Sequence, residues 1–310
     1  MSVLSARYLH DEAAAFQHLE NVLWPAGPVC PHCGSISGKH YDLRKSRVGL
    51  RKCSDCRKQF TVKIGTVFES AHIPLNKMLQ AVYLMVSSKK GISAHQLHRT
   101  IGVTYKSAWF LAHRIHLAMD TSASFFDQLG GLGAIVEADE TYVGKYDDVP
   151  HRTKGYATKL TVLTLVERGG TSRSFHVSGH SAAALAPYLK ANINKHSVLM
   201  TDEGKWYTET GKGFLDHQTV NHSEKEWKRG YAHTQTVEGF FSVFKRGMKG
   251  VYQHCSEKHL HRYLAEFDFR YSNRVKLGVD DAQRNERALE GIKGKRLKYR
   301  PADEARASTV

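Results

Sequence analysis

The sequence predicts a multidomain protein: a small N-terminal module built around paired cysteines, a helical segment, and a larger mixed α/β domain. Three observations predict it. The chain has 310 residues, more than one average domain holds, and its apolar fraction of 41% is that of an ordinary folded protein. Four of its five cysteines form two close pairs ahead of residue 60. The hydrophobic pattern keeps helical spacing over residues 74–119 and changes after Ala134 to short strand-like runs alternating with helical ones.

Charge narrows the partner. A formal net charge of +15 and a pI near 9.5 favour a polyanion, of which nucleic acid is the commonest. Ribosome-associated and membrane-surface proteins carry similar charge, so composition does not choose alone. No run is long and apolar enough to span a bilayer. The opening MSVLSARYLHDEAAAF lacks the basic segment and apolar core of a secretory signal. A cytoplasmic location is therefore expected, and in a reducing compartment close cysteine pairs hold metal rather than disulfides.

Residues 1–23 contain an amphipathic helix from Asp11 to Leu23 that stops at Trp24-Pro25. Residues 24–68 carry Cys30-Pro-His-Cys33 and Cys53-Ser-Asp-Cys56. Two such knuckles, roughly twenty residues apart, have zinc-ribbon spacing and put four thiolates around one Zn²⁺. Four protein ligands leave no open position, so the zinc is structural. His32 and His40 lie nearby but the set is complete without them. Arg44, Lys45, Arg51, Lys52 and their basic neighbours either face phosphates or form a solvated surface. Cys255 reads as a plain thiol.

Residues 72–120 have a helix-turn-helix-like layout. Leu75, Met78, Leu79, Val82 and Val86 repeat at helical spacing, Gly91 ends that helix, and Ser93 caps the next. Gly102 marks a turn, and Thr104 caps a third helix whose Ala108, Leu111, Ile115 and Ala118 share a face. The opposite side would expose Tyr105, Lys106, Ser107, Trp109, His113 and Arg114, of which Lys106, Trp109 and Arg114 are the candidate DNA contacts. An ordinary three-helix bundle gives the same pattern. Ser122 to Gly133 is a plausible linker.

Residues 131–275 form the α/β domain. AIVEADETYV, KLTVLTLVER, SRSFHVSG, SVLMTD and QTVNHS read as strands, and SAAALAPYLKANI as a helix between the third and fourth. Helices follow around Val237–Met248 and His259–Tyr271. Residues 276–310 are charged and poor in bulky apolar side chains, so a loosely ordered tail is expected.

Acids stand in three settings: Asp139 in VEADETYVG, Asp202 in VLMTDEG, and Glu238 in HTQTVEGFFSVFKRGMKG with Lys245 following. Carboxylates from separate elements suit two hard divalent ions about 4 Å apart, the arrangement that serves phosphodiester cutting and joining. Strand alternation does not choose between Asp139 and its neighbours Glu137 and Glu140, nor between Asp202 and Glu203. SVLMTD does read as a buried strand delivering an acid at its C-terminal end. Glu238 and Lys245 are close to two helical turns apart and share a face. Taken singly, each acid reads as an ordinary solvated side chain.

Together the cysteine knuckles, VEADETYVG, TDE and TVEGFFSVFKRGMKGVYQHCSEKHLHRYLAEFDFRYSNR resemble the ISXO-type insertion-sequence transposases, over roughly residues 10–275. These are bacterial DDE enzymes with an N-terminal zinc ribbon and an RNase H-like catalytic domain. The resemblance places the catalytic acids at Asp139, Asp202 and Glu238, and Lys245 as the lysine that follows them. Between Asp202 and Glu238 lie 35 residues, a DDE-like spacing. Relatives vary at the third acid, and Gln235 stands where they often have Asn, which makes it a further neighbour of the site.

The resemblance implies a DNA transposase that binds the terminal inverted repeats of its element and catalyses metal-dependent cleavage and strand transfer. It implies a structural Zn²⁺ and two catalytic Mg²⁺. The expected partners are double-stranded DNA, at element ends and target, and further copies of the chain in a homo-oligomeric synaptic complex. The expected place is the bacterial cytoplasm, at the nucleoid, with no membrane partner. One rival is a DNA-binding protein derived from a transposase whose catalytic domain is inactive; the intact acidic set argues against it. Another is a different RNase H-like nuclease, which the N-terminal modules disfavour.

Overall fold

The computed structural model describes residues 3–36, 40–121, 127–146, 155 and 158–298. The chain divides into two compact units. One comprises Met1–Ser88, Ile92–Met119 and Asp281–Val310; the other comprises Lys89–Gly91 and Asp120–Asp280. The N-terminal helix, the cysteine module and the helical segment thus share one unit.

In the first unit, α1 (Glu12–Leu23) starts where the Asp11 carboxylate accepts a hydrogen bond from the Ala14 amide at 2.7 Å, and it buries Ala15, Phe16 and Leu19. The cysteine module is a three-stranded antiparallel sheet of two-residue strands in the order β1 (Tyr41–Asp42), β2 (Arg51–Lys52), β3 (Gln59–Phe60). Its core is little more than Cys30, Cys53 and Phe60, with Trp24, Cys56 and Ile64 against them. Next come α2 (Leu75–Ser87), α3 (Ala94–Ile101) and α4 (Tyr105–Met119). The Ser93 hydroxyl accepts from the Gln96 amide at 3.1 Å, and the Thr104 hydroxyl from the Ser107 amide at 3.2 Å. Gly102, at φ 63°, ends α3 in the left-handed region.

Two expectations fail in this unit. The stretch after residue 276 is not loose throughout: a C-terminal helix, Asp281–Glu290, buries Ala288 and Leu289, and Ile292 follows them into the core. Arg284 donates to the Val86 carbonyl at 3.1 Å, and the Val67 amide donates to the Ile292 carbonyl at the same distance. Gly291 permits a close approach, because a Cβ there would lie 2.3 Å from the Ala118 carbonyl oxygen. Residues 299–310 of the expected tail lie outside the described residues. The second failure is on α4. Lys106 and Tyr105 are exposed and Trp109 is half-buried, but His113 and Arg114 are buried. The reason is that α4 packs against α2, α3 and the C-terminal helix, which leaves only its first turns open.

The second unit is built on a five-stranded mixed sheet. Its strands are β4 (Ile135–Val143), β5 (Leu160–Glu167), β6 (Ser172–Val177), β7 (Val198–Asp202) and β8 (Asp216–Val220), in the order β6-β5-β4-β7-β8. The pairs β4/β5 and β5/β6 are antiparallel, while β4/β7 and β7/β8 are parallel. The helices are α5 (Ala182–Asn192), α6 (Thr208–Gly211), α7 (Gln235–Gly247) and α8 (Glu257–Ser272). Alternation sorts the strands into two cores. Val143, Leu160, Val162 and Val166 meet the phenylalanines of α7 and the apolar stripe of α8. Val136, Ala138, Leu163, Leu165 and Leu199 meet Leu185 and Leu189 of α5 and Tyr207. The last strand ends earlier than QTVNHS suggests. Asn221 accepts from the Ser223 and Glu224 amides and turns the chain into a 3₁₀ turn, His222–Glu224.

Candidate active site

The sheet sets the first two acids side by side. The parallel ladder of β4 and β7 pairs Ile135 with Val198, Val136 with Leu199, and Glu137 with Met200. Two residues further along each strand, on the same pleat face, stand Asp139 and Asp202. Adjacent strands are about 4.8 Å apart, so two carboxylates converge at the C-terminal end of a parallel pair. That face is the one covered by α7.

The third acid arrives on α7, which a buried carboxylate pins down. Glu137 is 0% exposed and accepts from the Thr236 amide at 2.8 Å, the Thr236 hydroxyl at 2.8 Å and the Val237 amide at 3.0 Å. These are first-turn donors with no partner inside the helix, and a negative charge suits that end. Arg168 pairs with Glu137 at 2.5 Å and also donates to the Tyr231 and His233 carbonyls. Glu238, the residue after Val237 and still in the first turn, accepts from the Thr234 hydroxyl at 3.1 Å and lies 3.5 Å from His222 Nε2. Lys245 lies further along α7, exposed, with its ammonium 5.9 Å from the Phe241 ring centre.

Electrostatics tie the four residues together. Burial pushes the Asp139 carboxyl up to about 7, and the Asp202 and Glu238 charges push the same way, while Lys245 opposes them. Burial also raises Asp202, and His222 opposes that rise. A site whose acids resist carrying charge together is one that a cation would complete.

The neighbours left open by the sequence have other partners. Glu137 holds α7. Glu140 points to the opposite face, beside Tyr207 and Trp206, where burial pushes its carboxyl up to about 8. Glu203 accepts from the His222 and Ser223 amides and the Ser223 hydroxyl, and these bonds hold its carboxyl at about 2. Glu203 thus fixes the turn that brings His222 to Glu238. Sequence reasoning missed His222, because its segment read as strand. Gln235 is exposed at the start of α7, three residues ahead of Glu238.

The cysteines converge separately. Cys30 and Cys56 Sγ are 3.7 Å apart, as are Cys33 and Cys53. Thiolates about 2.3 Å from one tetrahedral ion would sit about 3.8 Å from each other, so the four fit Zn²⁺. Among the described residues they are the single group of three or more candidate ligands whose atoms all lie within 4.8 Å of one another. The acidic trio is more widely spread than a one-ion pocket.

An ISXO2-like transposase domain model matches residues 128–272, and a transposase zinc-ribbon domain model matches residues 10–59. The two matches support the resemblance to an ISXO-type transposase with an N-terminal zinc ribbon. No curated protein matches the sequence significantly. The family domain takes in all five strands of the sheet together with α7 and α8, and the ribbon match spans both cysteine pairs. Lys106 stands exposed on the first turn of α4 and Trp109 half-buried beside it, with His113 stacked edge-on to Trp109 at 4.4 Å. Arg114 instead lies over the Phe110 ring at 4.7 Å. No helix among the described residues is long and apolar enough to cross a membrane.

Proposed function

We propose that the chain is a DNA transposase that binds the inverted repeats of its own element, cuts there and joins the freed end to target DNA. One observation carries the reading: Asp139, midway along β4, and Asp202, the last residue of β7, each lie two residues past the last pair of the parallel ladder, on the face of the helix that brings Glu238 and Lys245. The sheet order and the run of antiparallel then parallel pairings support an RNase H-like fold. The exposed start of α4 supports a helix-turn-helix role for Lys106 and Trp109; Arg114 has no place in it. Zn²⁺ on Cys30, Cys33, Cys53 and Cys56 would be structural.

Asp139, Asp202 and Glu238 would hold two Mg²⁺, hard ions that favour carboxylate oxygen. When bound, the pair supplies activation of the attacking oxygen and relief of charge on the leaving one. The chain's own contributions are positional. Glu137 and Arg168 fix the start of α7, and with it Glu238. His222 orients the Glu238 carboxylate. Lys245 offers a cation to a phosphate beside the reacting bond. Double-stranded DNA, at both element ends and target, is the substrate, and joining two sites calls for a homo-oligomeric synaptic complex.

The test is an end-cleavage assay on labelled duplex carrying the inverted repeat found beside the gene. Asp139→Asn and Asp202→Asn should cut only at background while end binding persists, because Asn keeps the shape but loses the charge that offsets the metal. Glu238→Gln should do the same, and Lys245→Ala should weaken joining more than binding. Variants of Asp139 and Asp202 that cut as well as the parent would exclude this mechanism.

A further inference from the structure

Two cavities adjoin within the α/β unit, and Lys245 of the acidic site lines one of them. The first, 430 Å³, has an apolar floor of Val143, Leu160, Met248 and Leu260 and is rimmed by Lys159, Lys245 and Lys249. The second, 530 Å³, is walled by four rings, those of Tyr142, Tyr146, His180 and Trp206. Tyr142 and Lys159 line both, so the two share a wall, and the second is a groove of its own. Among the described residues no carboxylate lines either of them.

Sequence places the groove next to the chemistry. Tyr142 lies three residues beyond Asp139 on β4, on the opposite pleat face, and Trp206 lies four beyond Asp202. Lys245 acts on Asp139 electrostatically and lines the first cavity. Trp206 adjoins Glu140, whose charged neighbours include Asp139 and Asp202. The rings are locked to one another. Trp206 and His180 have centroids 5.1 Å apart in a T-shaped contact, and the Tyr142 hydroxyl is 3.4 Å from His180 Nδ1. Gly204 makes room for this wall, since a Cβ there would lie 2.7 Å from the Trp206 ring and 2.9 Å from an Asp202 oxygen.

Rings with lysines and no acid are the chemistry of a single-strand site. Lysines take phosphates, and aromatic faces take bases regardless of sequence. A base inside a duplex has both faces covered by its neighbours, so these rings are of use only to a nucleotide that has left the stack. The volume is that of an ordinary small-ligand site. We propose that the groove bounded by Tyr142, His180, Trp206 and Lys159 binds unpaired nucleotides of the DNA strand next to the scissile phosphate. The proposal rests on the transposase reading for its substrate, and it adds that the enzyme acts on an end that is locally opened. Tyr142, His180 and Trp206 bind here rather than react.

The experiment measures equilibrium binding of the full chain, without added divalent ion, to two fluorescein-labelled probes: a fully paired duplex and the same duplex with a short unpaired fork. Stacking of one base contributes about 1–3 kcal/mol, so the parent should prefer the fork by about tenfold. Trp206→Ala should abolish that preference and leave the paired duplex unchanged, and Trp206→Phe should restore it. Trp206 is half-buried, so Lys159→Gln provides a second arm. It should weaken only the forked probe and reduce its salt slope by about one ion. A 2-aminopurine in the fork should change its fluorescence on binding the parent and not on binding Trp206→Ala. Equal affinity of the parent for both probes overturns the proposal, as does equal weakening of both by Trp206→Ala. End cleavage separates the two ideas. A protein that cuts repeat ends but ignores the fork remains a transposase without this groove. One that prefers the fork but never cuts keeps the groove and loses the transposase reading.

Discussion

Glu137 shows how one residue couples strand to helix. It is a buried carboxylate that meets an arginine and the first-turn donors of α7, so removing it leaves Arg168 uncompensated and the helix start unsatisfied. Breaking a buried pair of this kind costs about 3–5 kcal/mol. Glu137→Ala should lower the unfolding free energy of the α/β unit by about that amount, read as a lower urea midpoint. Glu137→Gln should also reduce end cleavage: one oxygen can still accept from the Thr236 and Val237 amides, but the NH₂ that replaces the other oxygen faces the Arg168 guanidinium as a second donor. An unchanged midpoint for Glu137→Ala would remove the tether. This residue also explains what the sequence left open. Glu137 and Asp139 share a pleat face, so alternation alone cannot tell a helix anchor from a site acid. Family resemblance favoured Asp139, and the hydrogen bonds of Glu137 commit that neighbour to α7. His222 was illegible because its role depends on the turn that Glu203 builds.

At the scale of elements, the cysteine module is the part the sequence disclosed most fully, because two knuckles at ribbon spacing have few other uses. With a core so small, a bound zinc would supply much of its folding free energy, about 10–16 kcal/mol in zinc-finger peptides. Chelation should therefore unfold residues 24–68 while the circular dichroism of the α/β unit persists, and elemental analysis should find about one zinc per chain. Zinc-free protein with a folded module would contradict this. Helix α8 has a different tether. Asp268 accepts from the Ser172 hydroxyl and from the Ser174 amide and hydroxyl of β6. Burial pushes its carboxyl up from 3.8 to about 6, so the folded state holds this proton more tightly than the unfolded chain does. The contribution is complete below pH 3.8 and is lost as pH rises to about 6. Relative to Asp268→Asn, the parent should therefore lose stability over that window, by at most about 3 kcal/mol. A pH-independent difference between the two would exclude it. Helix α4 was misread for the opposite reason. Its 3.6-residue pattern reveals an apolar face, but not that a helix from the far end of the chain covers a second side and buries Arg114.

For the whole molecule, the order of units along the chain is not the order of domains in the sequence pattern. The N-terminal unit takes its last helix from residues 281–290, a stretch whose charged composition hides three core residues, Ala288, Leu289 and Ile292. A fragment ending near residue 120 therefore lacks part of its own core. Leaving Leu289 and Ile292 out forfeits on the order of 5 kcal/mol of burial, a large share of a domain's stability. Such a fragment should melt early and bind element ends weakly. A chain that joins Met119 to Asp281 through a flexible Gly/Ser linker should recover both. The linker is feasible because Lys295 Nζ donates to the Ala118 carbonyl at 3.3 Å and Gly291 packs on the same oxygen. The helix from Asp281 spans only about 15 Å, within reach of a short flexible chain. The recovered unit should bind inverted-repeat duplex more tightly than unrelated duplex, and its affinity should fall steeply with salt as phosphate contacts release counterions. Thermal melting and fluorescence anisotropy of the two chains decide the matter. If residues 1–120 alone melt and bind as the joined chain does, the C-terminal helix is a passenger. If neither discriminates repeat from unrelated DNA, this unit supplies charge to the transposase but not the reading of its ends.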